Sequence, residues 1–362
     1  MTTHLAAASR AKGQPLELLT RPTPKPAPNE LLIAVKSIAL NPADTIVRDH
    51  GLFIQSYPAV TGFDLSGLVL AVGENVPSDF KAGVTRVAAY AAFAWKAGDP
   101  DYGAFQDRCL VPWQHAVLLP DKDLSWNNAA TLPVAVQVPL SAWDALGIPR
   151  MGESSTTPST TGKKKEALLI WGASSSVGTM GVQTARLLRD DPNSSFAAVY
   201  ATAGAANKDY VVSLGADRVF DYKDAQVVDA IVSAARGDGV TIQCCFLAAG
   251  VLATCQDVLR AFVAEGQDGI AKIASAPVVP EDAEIVDGME TIFLMPSMVE
   301  EERLRQFRYW FGTWLREALA KGTIRLSPEP SVVGKGLGAI NAGLDQLVRG
   351  VSCTKLVVEI AE

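Results

Sequence analysis

Ala167-Leu-Leu-Ile-Trp171 is a short apolar run, Gly172-Ala-Ser-Ser-Ser-Val-Gly178 follows it at once, and Val177-Gly-Thr-Met-Gly-Val-Gln-Thr-Ala-Arg-Leu-Leu188 then carries helical periodicity. A strand that feeds a tight turn opening a helix places unpaired backbone N–H groups, and the positive end of the helix dipole, where a pyrophosphate is stabilised. The small side chains from Gly172 to Ser176 let the backbone approach phosphates, and Gly178 allows the helix to pack close to the strand. The full G-x-G-x-x-G fingerprint is incomplete, because its first two glycine positions hold Ala173 and Ser175. Context supplies what the pattern lacks, since the loop sits at the first strand-to-helix crossover of an alternating region. A merely structural strand–helix turn is the plainer alternative.

That alternation continues downstream. FAAVYATA, RVFDY, IQCCFLAAG and IAKIASA read as strands. NKDYVVSLGA, AQVVDAIVSAARG and CQDVLRAFVAEG read as helices between them, the first ended by Gly215. Strand alternating with helix predicts a parallel sheet covered on both faces, a Rossmann-type domain. The end of its second strand selects the dinucleotide. A site for NAD carries Asp or Glu there to bind the ribose 2′-hydroxyl. The stretch from Tyr200 to Lys208 holds no acid before Asp209. Lys208 can instead pair with a 2′-phosphate as a point charge, so NADPH is the expected cofactor. An ordinary solvated helix lysine is the plainer account of Lys208.

Upstream, the first 120 residues are β-rich. ELLIAVKSIAL, DLSGLVLAVG, VTRVAAY and AFQDRCLVP are short runs separated by Gly and Pro signals, which predicts a compact barrel or sandwich. A helix is expected from about Pro133 to Leu146, kinked at Pro139. Met151 to Glu166 is Ser/Thr-rich, ends in three lysines before Glu166, and reads as an exposed loop. The tail shows two helical stretches, Glu300 to Lys321 and Leu337 to Arg349, and a last strand, TKLVVEI. The run ETIFLM fits an edge strand that pairs between subunits or a strand inside a sheet, so monomer and homodimer both stay open.

The composition bounds the remaining possibilities. The chain has 362 residues and a net charge of −7, which argues against a nucleic-acid partner. The N-terminus has no apolar core of a secretory signal and no run is long enough to span a membrane, leaving a cytoplasmic location as the expectation. Five cysteines without a C-x-x-C argue against a disulfide framework and against a zinc knuckle.

Taken in order, Asn41-Pro-Ala-Asp44-Thr45, PAVTGFDLSGLVLAVGENV, GAFQDRCLVP, NNAATLPVAVQ and GASSSVG resemble the medium-chain dehydrogenase/reductase superfamily over nearly the whole length. Within it the chain is similar to the zinc-free, quinone-reductase-like branch, and to fungal trans-acting enoyl reductases of polyketide pathways and related oxidoreductases labelled zinc-binding. The resemblance implies an α/β fold class, a GroES-like β-rich catalytic domain plus a Rossmann doubly wound parallel sheet. The implied domains are 1–137 (GroES-like), 138–297 (nucleotide-binding) and 298–362 (return to the catalytic domain).

The metal-dependent branch has a cysteine where this chain has Asn41, and Gly-His-Glu where it has Gly62-Phe63-Asp64. Asn and Phe cannot replace the thiolate and imidazole that zinc prefers, so no metal is expected. By the same resemblance, Ala43, Asp44 and Thr45 touch the cofactor in the first domain. Ser174, Ser175, Ser176 and Val177, with Gly172, hold the phosphates. Asn207 and Lys208 lie by the adenosine ribose with Tyr222 beside them. Ala249 and Gly250 line the nicotinamide side, and Ser352 and Cys353 close over it. Asp44 and Thr45 have a plainer role as caps of the helix after Pro42.

Many relatives have Thr-Ala after the Gln of the VAVQ segment, where this chain has Val138 and Pro139. The implied activity is NADPH-dependent, zinc-independent reduction of an activated alkene such as an enone, enoyl group or quinone-like substrate. No catalytic residue is singled out. The lost threonine leaves open a redox-neutral cyclisation or isomerisation on the same fold; a carrier-docking partner of a synthase is a third, separate reading. A substrate pocket is expected from residues near Phe53, Phe63, Phe93, Trp95, Gln137, Trp143 and Met295.

Overall fold

The computed structural model describes residues 2–120, 124–150, 165–263 and 270–360. Most of the polar loop expected over 151–166 lies outside the described residues; Glu166 opens a strand. The chain divides into two compact units, one of Met1–Val134 with Ser297–Glu362 and one of Ala135–Pro296.

The second unit is a six-stranded sheet in which every neighbouring pair is parallel. Its spatial order is Arg218–Phe220, Phe196–Thr202, Glu166–Trp171, Thr241–Leu247, Ala271–Ser275 and Met289–Phe293. Counted along the chain this is the order 3-2-1-4-5-6 of a doubly wound dinucleotide fold. Ala167, Leu168, Leu169 and Ile170 are all fully buried, as a strand covered on both faces requires. The sheet reverses direction of winding between Glu166–Trp171 and Thr241–Leu247, and ligands of such folds bind at the carboxyl ends of those two strands. The ETIFLM run lies in the strand Met289–Phe293, which among the described residues pairs with Ala271–Ser275 alone, at the sheet's edge.

The first unit is built on a seven-stranded sheet and a smaller three-stranded one. Its central strand, Glu30–Ala39, is buried along almost all its length because it has three partners, Asp64–Val72, Arg108–Pro112 and the return strand Lys355–Glu359. Two of these registers fix where the chain leaves the sheet. Ala39 stands opposite Asp64 on one side and opposite Val357 on the other. Residues after Ala39 therefore emerge between the start of the Asp64 strand and the start of the return strand.

The helix expected from about Pro133 is found as Leu132–Leu146, with Pro139 inside it. The segment expected as one helix from Glu300 to Lys321 is α-helical over Glu300–Phe307, π-helical over Arg308–Leu315 and α-helical again over Arg316–Lys321. Trp310, Phe311, Trp314 and Leu315 are all buried on that wider turn. A further strand, Pro330–Lys335, pairs in parallel with the return strand. Its shortness, and the proline and glycine within it, hide it in the sequence.

Candidate functional site

In the second unit, the loop after Trp171 has the form a phosphate group requires. Gly172 has φ +77°, and a Cβ there would stand 2.4 Å from the Ala249 carbonyl oxygen. A Cβ on Gly178 would meet the Gly172 carbonyl oxygen at 2.3 Å. The loop is thus drawn tight against the end of the neighbouring strand, and Gly250 lies against the Trp171 indole. The helix Ser176–Asp190 begins at Ser175, whose hydroxyl accepts from the Gly178 N–H at 3.1 Å. Ser175 is therefore the N-cap. The Ser176 hydroxyl is buried and has no partner. Helix geometry also leaves the first N–H groups, at Ser176 and Val177, without acceptors inside the helix. A buried orphan hydroxyl beside free amides fits an anionic oxygen.

The other expected contacts of this unit gather at the ends of the same strands. Thr202 closes the second strand and its hydroxyl accepts from the Gly172 N–H at 3.0 Å. Gly204 follows, and the half-exposed Tyr222 ring lies over it, 3.7 Å from where a Cβ would be. Asn207 and Lys208 open the helix Lys208–Ser213, and Lys208 makes no ion pair among the described residues. No carboxylate occupies the end of the second strand, where Ala203 and Gly204 stand.

In the first unit, Ala43, Asp44 and Thr45 sit in the first turn of the helix Pro42–His50. The Asp44 carboxylate accepts from the Asn41 N–H at 2.7 Å, and the Thr45 hydroxyl donates to the Pro42 carbonyl at 2.7 Å. Both side chains are thus engaged in the helix start, the plainer of their two roles. Burial raises the Asp44 carboxyl to about 7, against the lowering effect of its bond from Asn41. Cys353 has φ +49°, and burial raises its thiol.

Several residues expected near a substrate make packing contacts. Phe63 and Phe93 are buried with ring centres 4.9 Å apart. Trp143 donates to the Thr184 hydroxyl at 3.0 Å and meets Phe246 edge-on. Trp95 belongs to an aromatic nest around His115, which stacks on Phe307 at 3.8 Å. Burial drives the His115 imidazole down to about 3, so it stays neutral.

Sequence reasoning missed a buried polar cluster. Asn41, Asp44, Asp64 and Lys355 are 3%, 0%, 0% and 3% exposed. The Lys355 ammonium lies 3.0 Å from Asp64 Oδ2 and donates to Asn41 Oδ1. Asn41 Nδ2 donates to Asp64 Oδ2 at 3.0 Å, and Asp64 Oδ1 accepts from the Val134 N–H at 2.8 Å. The only hints were one aspartate and one lysine at the heads of apolar strands, where charges are ordinarily solvated.

At the two positions that the resemblance sets beside the zinc of the metal-dependent branch stand Asn41, whose side-chain oxygen accepts from Lys355, and Phe63, which packs on Tyr90 and Phe93. Among the described residues no three His, Cys, Asp or Glu side chains form a metal-binding group.

Comparison with known proteins agrees with this geometry. Residues 27–121 match the alcohol dehydrogenase GroES-like domain. The chain is 41% identical over 359 residues to the trans-enoyl reductase tndF of Aspergillus flavipes, covering 99% of this chain and 99% of that protein. It is 42% identical over 307 residues to the trans-enoyl reductase tazE of Aspergillus terreus, covering 83% of this chain and 95% of that protein. The crystal structure of CurK enoyl reductase superposes with a TM-score of 0.74 at 17% identity, over 99% of each chain, a likeness of fold. With a GroES-like domain, a 3-2-1-4-5-6 parallel sheet and a relative 41% identical over 99% of both chains, the chain belongs to the medium-chain dehydrogenase/reductase superfamily.

Proposed function

We propose that this chain is an NADPH-dependent, zinc-independent reductase of activated alkenes, working in the cytoplasm in fungal secondary metabolism. The observation that carries the reading is the loop Gly172–Gly178, tight against Ala249, with the unpartnered Ser176 hydroxyl buried at the head of a helix. Ser174, Ser175, Ser176 and Val177 would hold the pyrophosphate. Lys208 and Asn207 would hold the 2′-phosphate and ribose, with Tyr222 against the adenine side. Ala249 and Gly250 would line the nicotinamide side, Ser352 and Cys353 would close over it, and Ala43, Asp44 and Thr45 would be cofactor contacts of the first unit. Asp44 and Thr45 would act through their backbone, since their side chains serve the helix start.

When bound, the nicotinamide supplies the hydride. The chain's own part is to orient the substrate, exclude water and present hydrogen-bond donors to the oxygen on which negative charge develops. The cation of the Asn41 cluster is an ammonium, so no Lewis acid is asked of the protein. A carrier domain of a polyketide synthase is the partner this reading brings; the Aspergillus relatives are named trans-enoyl reductases.

The test is a panel of conjugated enones, enoyl thioesters and quinones with NADPH or NADH. Consumption of NADPH well above NADH is expected. Tight NADPH binding with no turnover over the whole panel would sink the reductase reading. One observation favours a second reading. Val138 offers no hydroxyl, and Pro139 no N–H, at the positions where many relatives carry Thr-Ala. Product formed at a constant NADPH to NADP ratio would support a redox-neutral cyclisation or isomerisation instead.

A further inference from the structure

The buried cluster in the first unit has the composition of a cation site. Two carboxylates and an amide oxygen, from Asp44, Asp64 and Asn41, come together in a fully buried space. Nothing apolar explains them, and burying the Asp64 carboxylate costs several kcal/mol unless a positive charge accompanies it. The accompanying charge is Lys355, delivered by the return strand, with its ammonium against Asn41 Oδ1 and Asp64 Oδ2. One oxygen of the set is left over, because Asp44 Oδ1 is buried without a partner. Sheet registers explain why these residues meet, since Ala39 is opposite both Asp64 and Val357.

We propose that Lys355 is the resident cation of this cluster, standing where a divalent ion would otherwise compensate Asp64. Its Nζ occupies the point toward which Asn41 Oδ1 and Asp64 Oδ2 converge. A metal ion at roughly 2.0–2.5 Å from the same oxygens could not share that space. The ammonium also ties three distant segments together: the helix start at Asn41, the strand start at Asp64 and the return strand at Lys355. Removing it turns the cluster into an anionic cavity that accepts a small cation from solution. This inference rests on the zinc-independent part of the proposed function. Its readouts need neither cofactor nor substrate, so its failure is separable from failure of the reductase reading.

The experiment uses the full chain as wild type, Lys355→Ala, Lys355→Met and the double variant Lys355→Met with Asp64→Asn. Each is melted in sodium chloride, in ethylammonium chloride of equal ionic strength, and with zinc. Bound zinc is counted after dialysis. The wild type should hold no zinc in the cluster and melt alike in both salts. Lys355→Ala should melt roughly 10 °C lower in sodium chloride, and ethylammonium should restore at least half of the loss. Lys355→Met should melt lower to a similar degree, and the double variant, which removes both charges, should recover most of that loss. If Lys355→Ala does not fold, the double variant decides. Folding near the wild-type melting point supports charge compensation, and damage equal to that of Lys355→Met overturns it. Wild-type chain that keeps about one zinc, released by Asp64→Asn, would also overturn it. So would a Lys355→Ala protein that melts like wild type or gains nothing from ethylammonium.

Discussion

Asp44→Asn tests the physics of the buried cluster most directly. Asp44 is fully buried, and burial raises its carboxyl from 3.8 to about 7, with Asp64 adding to the rise and Asn41 and Lys355 opposing it. In the unfolded chain the same carboxyl gives up its proton near 3.8. Between those two values the folded state binds more protons than the unfolded state, so stability falls as pH rises through that window and levels off above about 7. At about 1.4 kcal/mol per pH unit, the whole window amounts to about 4 kcal/mol, and the part between pH 5 and pH 8 to about 3 kcal/mol. Asparagine has the same shape, can still accept from the Asn41 N–H, and does not titrate. The difference in melting temperature between Asp44→Asn and wild type should therefore grow in the variant's favour by roughly 6–12 °C from pH 5 to pH 8. Thermal melts in matched buffers at four pH values measure it. A difference that stays constant across that range would refute the idea that Asp44 keeps its proton in the folded chain.

Four other outcomes are expected. Gly172→Ala forces a side chain into a left-handed conformation and against the Ala249 carbonyl; it should weaken NADPH binding at least tenfold by titration calorimetry, with a strain cost of about 1–2 kcal/mol. Lys208→Ala should raise the dissociation constant for NADPH about tenfold and leave that for NADH unchanged, and fluorescence titration with both nucleotides checks this. His115, held neutral to about 3 by burial, contributes stability that is complete above about 6.5 and lost as pH falls toward 3. His115→Phe should therefore gain about 2 kcal/mol relative to wild type on going from pH 7.5 to pH 5, read from urea midpoints. Val138→Thr should raise NADPH turnover if hydride transfer is limited by the missing hydroxyl, and stopped-flow traces at 340 nm would show no change if it is not.

The parallel sheet and its phosphate loop were legible because they are written locally. Ala167–Trp171 is buried on both faces and so reads as an unbroken apolar run, and the small residues from 172 to 178 report a close approach that any chain neighbour reveals. The cluster of Asn41, Asp44, Asp64 and Lys355 was not legible, because it depends on two strand registers, one of them joining residues more than 300 positions apart. The aromatic nest around His115 is hidden in the same way, since Phe307 reaches it from the C-terminal segment. Phe93 and Trp143 make packing contacts with Phe63 and with Phe246 that no local pattern announces. Aromatic residues carry no local sign of which role they fill.

The return strand sets an order of events during synthesis. The central strand Glu30–Ala39 leaves the ribosome early, yet its neighbour Lys355–Glu359 emerges more than 300 residues later. At 5–20 residues per second, roughly 15–60 s separate the two. The second unit, contiguous from Ala135 to Pro296, can complete its sheet within that interval. The first unit meanwhile exposes one edge of its main sheet and holds Asp64 without its counter-charge. A nascent chain is therefore vulnerable in its older half while its younger half is already protected. Chaperone dependence should track the wait for Lys355, and slowing translation between residues 300 and 350 should raise aggregation without touching the nucleotide fold.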